Sequence, residues 1–245
     1  MVLEWVIGST IVVSLISLIG IFTFAINEKL LKKLLLIMVS FSAGTLMAVA
    51  FFHLLPEAVE KNPTVEPFLY VVAGFALFFL LERILRWRHC HEGKCDVHSF
   101  AYMNLVGDGL HNFIDGLVMA AGYAASIPLG ITMTIGIVAH EIPQEIGDFG
   151  VLLHGGFTKM RALTMNFLTA ITAVFGGIVG YLLSANSAVF GDLLLPFAAG
   201  GFIYIAASDL VPELHKETDL KRSMLAFAVF IVGVILMWAL RFLEV

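Results

Sequence analysis

The stretch HNFIDG, residues 111–116, places a histidine and an aspartate one helical turn apart inside an apolar run. A second stretch, HEIPQEIGD, residues 140–148, repeats the spacing with His140 and Gln144 and sets Glu141 and Glu145 beside them. Side chains at i and i+4 of a helix share a face, so each pair can grip one ion. Two such pairs on facing helices make a nitrogen and oxygen site of about four ligands. Imidazole suits zinc, ferrous iron, nickel and copper, and oxygen donors broaden the range toward manganese. Asn112 lies beside the first pair. The candidate metal ligands are therefore His111, Asn112, Asp115, His140, Glu141 and Gln144.

These residues belong to longer polar stripes. Asn104, Asp108, His111 and Asp115 follow steps of 4, 3 and 4, and His140, Gln144 and Asp148 follow steps of 4. Five carboxylates sit in two otherwise apolar segments: Asp108, Asp115, Glu141, Glu145 and Asp148. Each costs on the order of 2.5–3.5 kcal/mol at the centre of a membrane helix. A bundle interior, a water-filled path or a bound cation would supply the compensation. Asp108, Glu145 and Asp148 are expected either as ligands or as groups that orient the histidines or relay protons. A purely structural hydrogen-bond network would suit a lone histidine better than two such pairs. Pro143 leaves the carbonyl of Ala139 without its helical partner and predicts a kink beside the site.

The elements that must position these side chains are membrane helices. Hydrophobic residues make up 60% of the 245 and charged residues only 13%, against about 25% charged in soluble domains. Mean hydropathy is +0.96. Apolar segments of about 20 residues recur at 5–26, 34–55, 67–87, 100–122, 129–153, 161–184, 191–212 and 223–243, each long enough to cross a bilayer. The first is expected as a retained span, because Glu4 stands where a signal peptide carries positive charge. The alternation of a membrane β-barrel is absent. The expected class is an all-α integral membrane protein of eight transmembrane helices. With a net charge of −5 and no basic patch, nucleic acid is not an expected partner; the lipid bilayer is.

Of the 14 Lys and Arg residues, all but Lys61 and Arg241 gather in alternate loops. The positive-inside rule makes those loops cytoplasmic and both termini external. One of the loops, RHCHEGKCDVHS at 88–99, holds His89, Cys90, His91, Cys95 and His98. Its thiols would be reduced in that compartment, and its spacing matches no standard zinc finger. Flexible capture of metal on the cytoplasmic side is the expectation, with a plain polar loop as the alternative.

Residues 43–57, AGTLMAVAFFHLLPE, and 199–213, AGGFIYIAASDLVPE, share the frame AG, eight residues, His or Asp, Leu, one residue, Pro-Glu. The offset is 156, and the two lie in spans 2 and 7, which run in opposite directions. Spans 1–3 and 6–8 are thus expected as inverted repeats around spans 4 and 5, a 3+2+3 plan with the substrate near the midplane. His53 and Asp209 hold equivalent places and are read either as polar lining of the way in and the way out or as ordinary helix-end residues.

HNFIDG resembles the fourth-span motif His-Asn-x-x-Asp/Glu-Gly of the ZIP (Zrt-, Irt-like protein) family of divalent-metal transporters. HEIPQEIGD resembles the fifth-span motif of the subgroup that reads His-Glu-x-Pro-His-Glu-x-Gly-Asp. The resemblance covers the whole chain. It implies uptake of zinc, or of iron, manganese or cadmium, toward the cytoplasm by alternating access. It also implies one or two metals between spans 4 and 5 and a homodimer. A prokaryotic cell membrane is the expected location. The chain departs from the motif at Gln144, where histidine or glutamate is usual, and carries no acidic residue in NFLTAITAVFGGIVG of the sixth span. Both departures bear on a second metal. An intramembrane metalloprotease would want H-E-x-x-H, which Gln144 breaks. An exporter of the cation-diffusion-facilitator type also uses a His-x-x-x-Asp pair, but typically with six spans and a soluble domain. A metal receptor that does not transport is the remaining alternative.

Overall fold

The computed structural model describes residues 2–25, 27–87, 97–186 and 188–243, and among them all regular structure is helical. Long apolar runs favour this outcome because a helix satisfies every interior backbone group within itself. α1 (Val2–Ile16) passes into a tighter 3₁₀ run at Ser17–Ala25. α2 (Glu28–Val49) passes through a π-helical turn (Ala50–Leu54) into α3 (Leu55–Lys61). α4 (Glu66–Trp87), α5 (Val97–Ala125) and α6 (Ile127–His154) follow. α7 (Lys159–Ala170) and α8 (Thr172–Asn186) form one broken run. α9 (Ala188–Tyr204) passes through a second π-helical turn (Ile205–Leu210) into α10 (Val211–Leu214), and α11 (Leu220–Leu240) closes the bundle.

Helix starts are marked in the sequence. Asn27, Ser126, Thr158 and Asp219 each take extended backbone and accept, through their side chains, from the backbone N–H three residues on. Such caps satisfy donors that a helix leaves open at its first turn.

Among the described residues, six runs are long and apolar enough to cross a membrane: Val2–Thr23, Lys29–Lys61, Glu66–Ile84, Lys159–Ser184, Leu193–Leu214 and Leu220–Leu240. α5 and α6 are longer than most of these, at 29 and 28 residues, but the two polar motifs dilute their apolar character. α1, α5, α6, α7 and α8 pack among themselves, and α2, α4, α9 and α11 among themselves. The two sets meet where α2 lies on α6 and α5 on α9, around Leu46, Met119, Ile137, Phe202 and Met237.

Close approach within the second set rests on glycine. A Cβ on Gly44 would lie 2.1 Å from the carbonyl oxygen of Phe230 on α11, and one on Gly200 would lie 2.0 Å from that of Val71 on α4. Both contacts are returned: Gly233 meets the carbonyl of Phe41, and Gly74 that of Phe197. Phe41 and Phe197, like Gly44 and Gly200, are 156 positions apart. The two π-helical turns also fall at matching places, each just before a proline, Pro56 or Pro212.

The prolines leave carbonyls to be satisfied from elsewhere. Pro143 lies inside a continuous α6, and the oxygen of Ala139 accepts from Ser42 Oγ of α2 at 2.5 Å. Pro56 has no N–H for the oxygen of Phe52, which accepts from Arg241 Nη1 at 2.8 Å. Ser42→Ala is therefore expected to destabilise the fold by about 1–2 kcal/mol, the cost of orphaning a buried carbonyl. Ser40→Ala should change little, since Ser40 Oγ bonds only within its own helix, to Leu36. Thermal unfolding of the two purified variants in one detergent makes the comparison.

Candidate metal centre

His111 and Asp115 project from α5, and His140 and Glu141 from α6, into one space between the helices. One ligand atom from each lies within 4.8 Å of every other. His111 Nε2 is 3.1 Å from His140 Nε2 and 3.3 Å from Glu141 Oε1. Asp115 Oδ2 is 3.7 Å from His111 Nε2 and 3.1 Å from His140 Nε2. Glu141 Oε1 is 3.4 Å from His140 Nε2. A tetrahedron with metal–ligand bonds of about 2.0–2.1 Å has edges of about 3.3–3.4 Å. Five of the six separations, at 3.1 to 3.7 Å, bracket that edge, and the sixth, between Asp115 and Glu141, is within 4.8 Å. The four atoms are spaced as ligands of one small cation.

Chemistry agrees with spacing. His140 Nδ1 lies 3.2 Å from the carbonyl of Gly136 one turn back. That contact assigns the proton to Nδ1 and leaves Nε2 with a lone pair toward the cluster. Phe202 flanks the same ring, its centroid 6.1 Å away, and keeps that side apolar. Asp115 Oδ2 and both carboxylate oxygens of Glu141 are buried without a hydrogen bond. Unpaired buried carboxylates are costly, each by several kcal/mol. Two of them together carry the charge that a divalent cation cancels. His140, Asp115 and Glu141 are at most 1% exposed. His111 alone keeps access, its side chain 15% exposed.

That access leads into a cavity of about 350 Å³ lined by His111, His140, Pro143, Gln144, Glu82 and Asp209. Gln144 thus borders the chamber next to the cluster. Asp209 sits on its wall within the second π-helical turn, and Tyr204 donates to Glu82 there. His53 is elsewhere: it is buried, and its Nε2 lies 2.8 Å from the carbonyl of Met237.

The remaining polar residues of the stripes form a network behind the cluster. Asn112 Nδ2 donates to Asp108 Oδ1 at 2.9 Å, and Thr169 donates to Oδ2 of the same residue. Asn104 Nδ2 donates to Asp148 Oδ1 at 2.9 Å. Asn166 donates to Glu145 Oε2, while Glu145 Oε1 and the amide oxygens of Asn112 and Asn166 are buried without a hydrogen bond. Asn166 and Thr169 of α7, and Glu82 of α4, are absent from the sequence-derived candidates. The one available signal along the α7–α8 run is spacing, since Asn166, Thr169 and Thr172 repeat every third residue. His89, Cys90, His91 and Cys95 lie outside the described residues, and His98 falls in the first turn of α5.

A family model described as ZIP zinc transporter matches residues 3–100 and 87–241. The chain belongs to this family. It is similar to zinc transporter zipt-7.1 of Caenorhabditis briggsae, 30% identical over 245 residues, covering 75% of this chain and 62% of that protein. Zinc transporter ZIP13 of Pongo abelii is 33% identical, covering 84% of this chain and 66% of its own length. Human zinc transporter SLC39A7 is 26% identical, covering 98% and 71%. This ZIP-family chain thus spans somewhat under two thirds of the first two relatives. It is an integral membrane protein by family and by its apolar helices. The relatives named are animal proteins, which give no support to the expectation of a prokaryotic membrane.

Cobalt(II) serves as a spectroscopic stand-in for zinc at such a cluster. The purified protein is expected to give the intense visible bands of tetrahedral cobalt. Asp115→Asn, which keeps shape and removes charge, should weaken cobalt binding by at least roughly 10–100-fold. Asp148→Asn should leave the band shape unchanged, because Asp148 is bonded to Asn104 rather than to the cluster.

Proposed function

We propose that this protein carries divalent metal cations across a membrane, with zinc as the principal substrate, and that His111, Asp115, His140 and Glu141 hold the ion in transit. The observation that carries the reading is the two-helix cluster itself: two imidazoles and two buried carboxylates with ligand atoms within 4.8 Å of one another, one member reaching a chamber. Gln144 borders the chamber beside it as an additional oxygen donor, while Asn112, proposed from the sequence as a further ligand, is bonded to Asp108 behind the cluster. The relatives' names, all zinc transporters, support the choice of substrate.

We place the chain in the membrane as eight spans in a 3+2+3 plan, with α5 and α6 as the central pair. The paired glycine contacts and matched π-helical turns at an offset of 156 support inverted repeats on either side. The chamber reaches Glu82 and Asp209, on the ends of α4 and α9 that lead to the basic loops. By charge bias that side is cytoplasmic and both termini are external, so the chamber faces inward. Zinc enters from outside, exchanges between ligand sets as the outer and inner paths open in turn, and leaves through this chamber. A homodimer follows from the family resemblance alone. Residues 88–99 would receive ions on release.

Cells that express the protein should accumulate zinc faster than controls. His111→Ala should abolish most of that gain at equal membrane abundance; wild-type uptake by this variant would remove His111 from the ligand set. Reduced accumulation on expression would reverse the direction.

Gln144 sets affinity in this reading. An amide oxygen is a neutral ligand and weaker than imidazole for zinc. Gln144→His should lower the apparent KM for zinc with an equal or lower maximal rate, because tighter holding slows release. Gln144→Ala should raise KM by up to roughly 10–100-fold. Concentration-dependent uptake of the three forms at matched abundance measures this. Identical curves would mean that Gln144 lines the chamber without touching the ion.

A further inference from the structure

A second cavity, of about 1030 Å³, lies between the start of α2 and the α10–α11 corner. None of the cluster residues lines it. Its lining divides by chemistry. Lys29, Lys32, Lys33, Lys216 and Arg222 supply cations, and Leu35, Leu36, Val39 and Leu225 supply an apolar wall. Two carboxylates share the space: Glu213 pairs with Lys216 at 2.5 Å, and Glu217 with Arg222 at 3.5 Å. Cationic side chains therefore outnumber carboxylates five to two.

The division runs along α2. Its lysines occupy the first turns and its apolar lining residues the next ones, so one helix face grades from cationic to apolar. From Lys29 to Val39 this spans about 15 Å at 1.5 Å per residue. A free inorganic anion would use only the lysines. A divalent metal would be repelled by the surplus of positive charge. A molecule with a phosphate at one end and a hydrocarbon chain at the other uses both parts, and basic pockets between membrane helices suit anionic headgroups.

We propose that this cavity binds one anionic phospholipid, with its phosphate among Lys29, Lys32 and Lys33 and its chain along Leu36 and Val39. Val39 also lines the chamber beside the metal cluster. The chain of the bound lipid then ends against the wall of that chamber, at its mouth. The assignment rests on the membrane placement of α2 and not on the identity of the transported ion.

The test uses the full-length protein in detergent and native mass spectrometry, with phosphatidylglycerol as the probe and phosphatidylcholine as the neutral control. Wild type should retain one phosphatidylglycerol per chain and no phosphatidylcholine. Each lysine near a membrane surface contributes roughly fivefold to binding of acidic lipid, so changing Lys29, Lys32 and Lys33 together to Gln should weaken retention roughly 100-fold. Changing them together to Arg should preserve it. Leu36→Trp, which fills the apolar part and leaves the lysines, should also abolish retention, and millimolar inorganic phosphate should not compete. Cobalt binding at His111 and His140 reports in each variant that the bundle is intact and separates this result from any failure of the transport reading. Equal retention by wild type and the Gln variant would overturn the proposal. So would retention that survives Leu36→Trp and is displaced by inorganic phosphate, which would mark a general anion site.

Discussion

A carboxylate taken out of water must be compensated where it sits, and this bundle buries four of them in one region. Asp108, Asp115, Glu141 and Glu145 are each at most 5% exposed. The structure meets the demand in two different ways. Asp108, Glu145 and the nearby Asp148 receive amide or hydroxyl donors from Asn112, Thr169, Asn166 and Asn104. These donors hold the carboxylates without cancelling their charge. Asp115 and Glu141 receive no such donor at the oxygens that face the histidines. Neutral donors there would block the ion. Glu141 differs from the network carboxylates in that both of its oxygens lack a donor, whereas Asp108, Glu145 and Asp148 each receive at least one.

The same constraint acts on the backbone. Proline inside a membrane helix bares a carbonyl in a medium that offers no water. Ser42 and Arg241 supply the missing donors for Ala139 and Phe52. Both donors come from other helices, so each proline doubles as a tether. Ser42 ties α2 to α6 at Ala139, immediately before His140 and Glu141. The glycine contacts complement this, because they bring α2 to α11 and α4 to α9 at backbone distance. α2 is therefore held against α6 beside the cluster, and the positions of the candidate ligands are set by packing as much as by their own helices.

Much of this was legible in the sequence because it is local. A step of four residues decides that His111 and Asp115 share a face, whatever surrounds them. The same holds for the carbonyl bared by Pro143. All-helical character followed from apolar run length. What could not be read depends on which helices touch. The donors Asn166 and Thr169 meet Glu145 and Asp108 across 21 and 61 residues of chain. Neutral polar residues are common enough in membrane helices to carry no signal alone. His53 and Asp209 occupy matching places in the repeat, yet one meets the carbonyl of Met237, 184 residues on, and the other lines the chamber. Sequence equivalence fixed their places along the helices but not the surfaces they meet. Glu82 went unnoticed because a single acid near a helix end, followed by Arg83, looks like an ordinary boundary.

The cluster belongs to one set of helices, whereas the chamber wall is shared by both. All four close-spaced ligands come from α5 and α6, while Glu82, Tyr204 and Asp209 come from α4, α9 and the turn that follows it. For a carrier this separation has a mechanical consequence. The ligand geometry depends on the packing of α5 against α6 and of α5 against α8, which a displacement between the two sets leaves untouched. Access to His111 depends on the boundary between the sets, where α2 meets α6 and α5 meets α9. Under the proposed function, a shift at that boundary would change which side reaches the ion without first pulling its ligands apart. In that reading, release would need competing oxygens from the chamber. Gln144 offers one beside the cluster, and Asp209 offers another on the opposite wall.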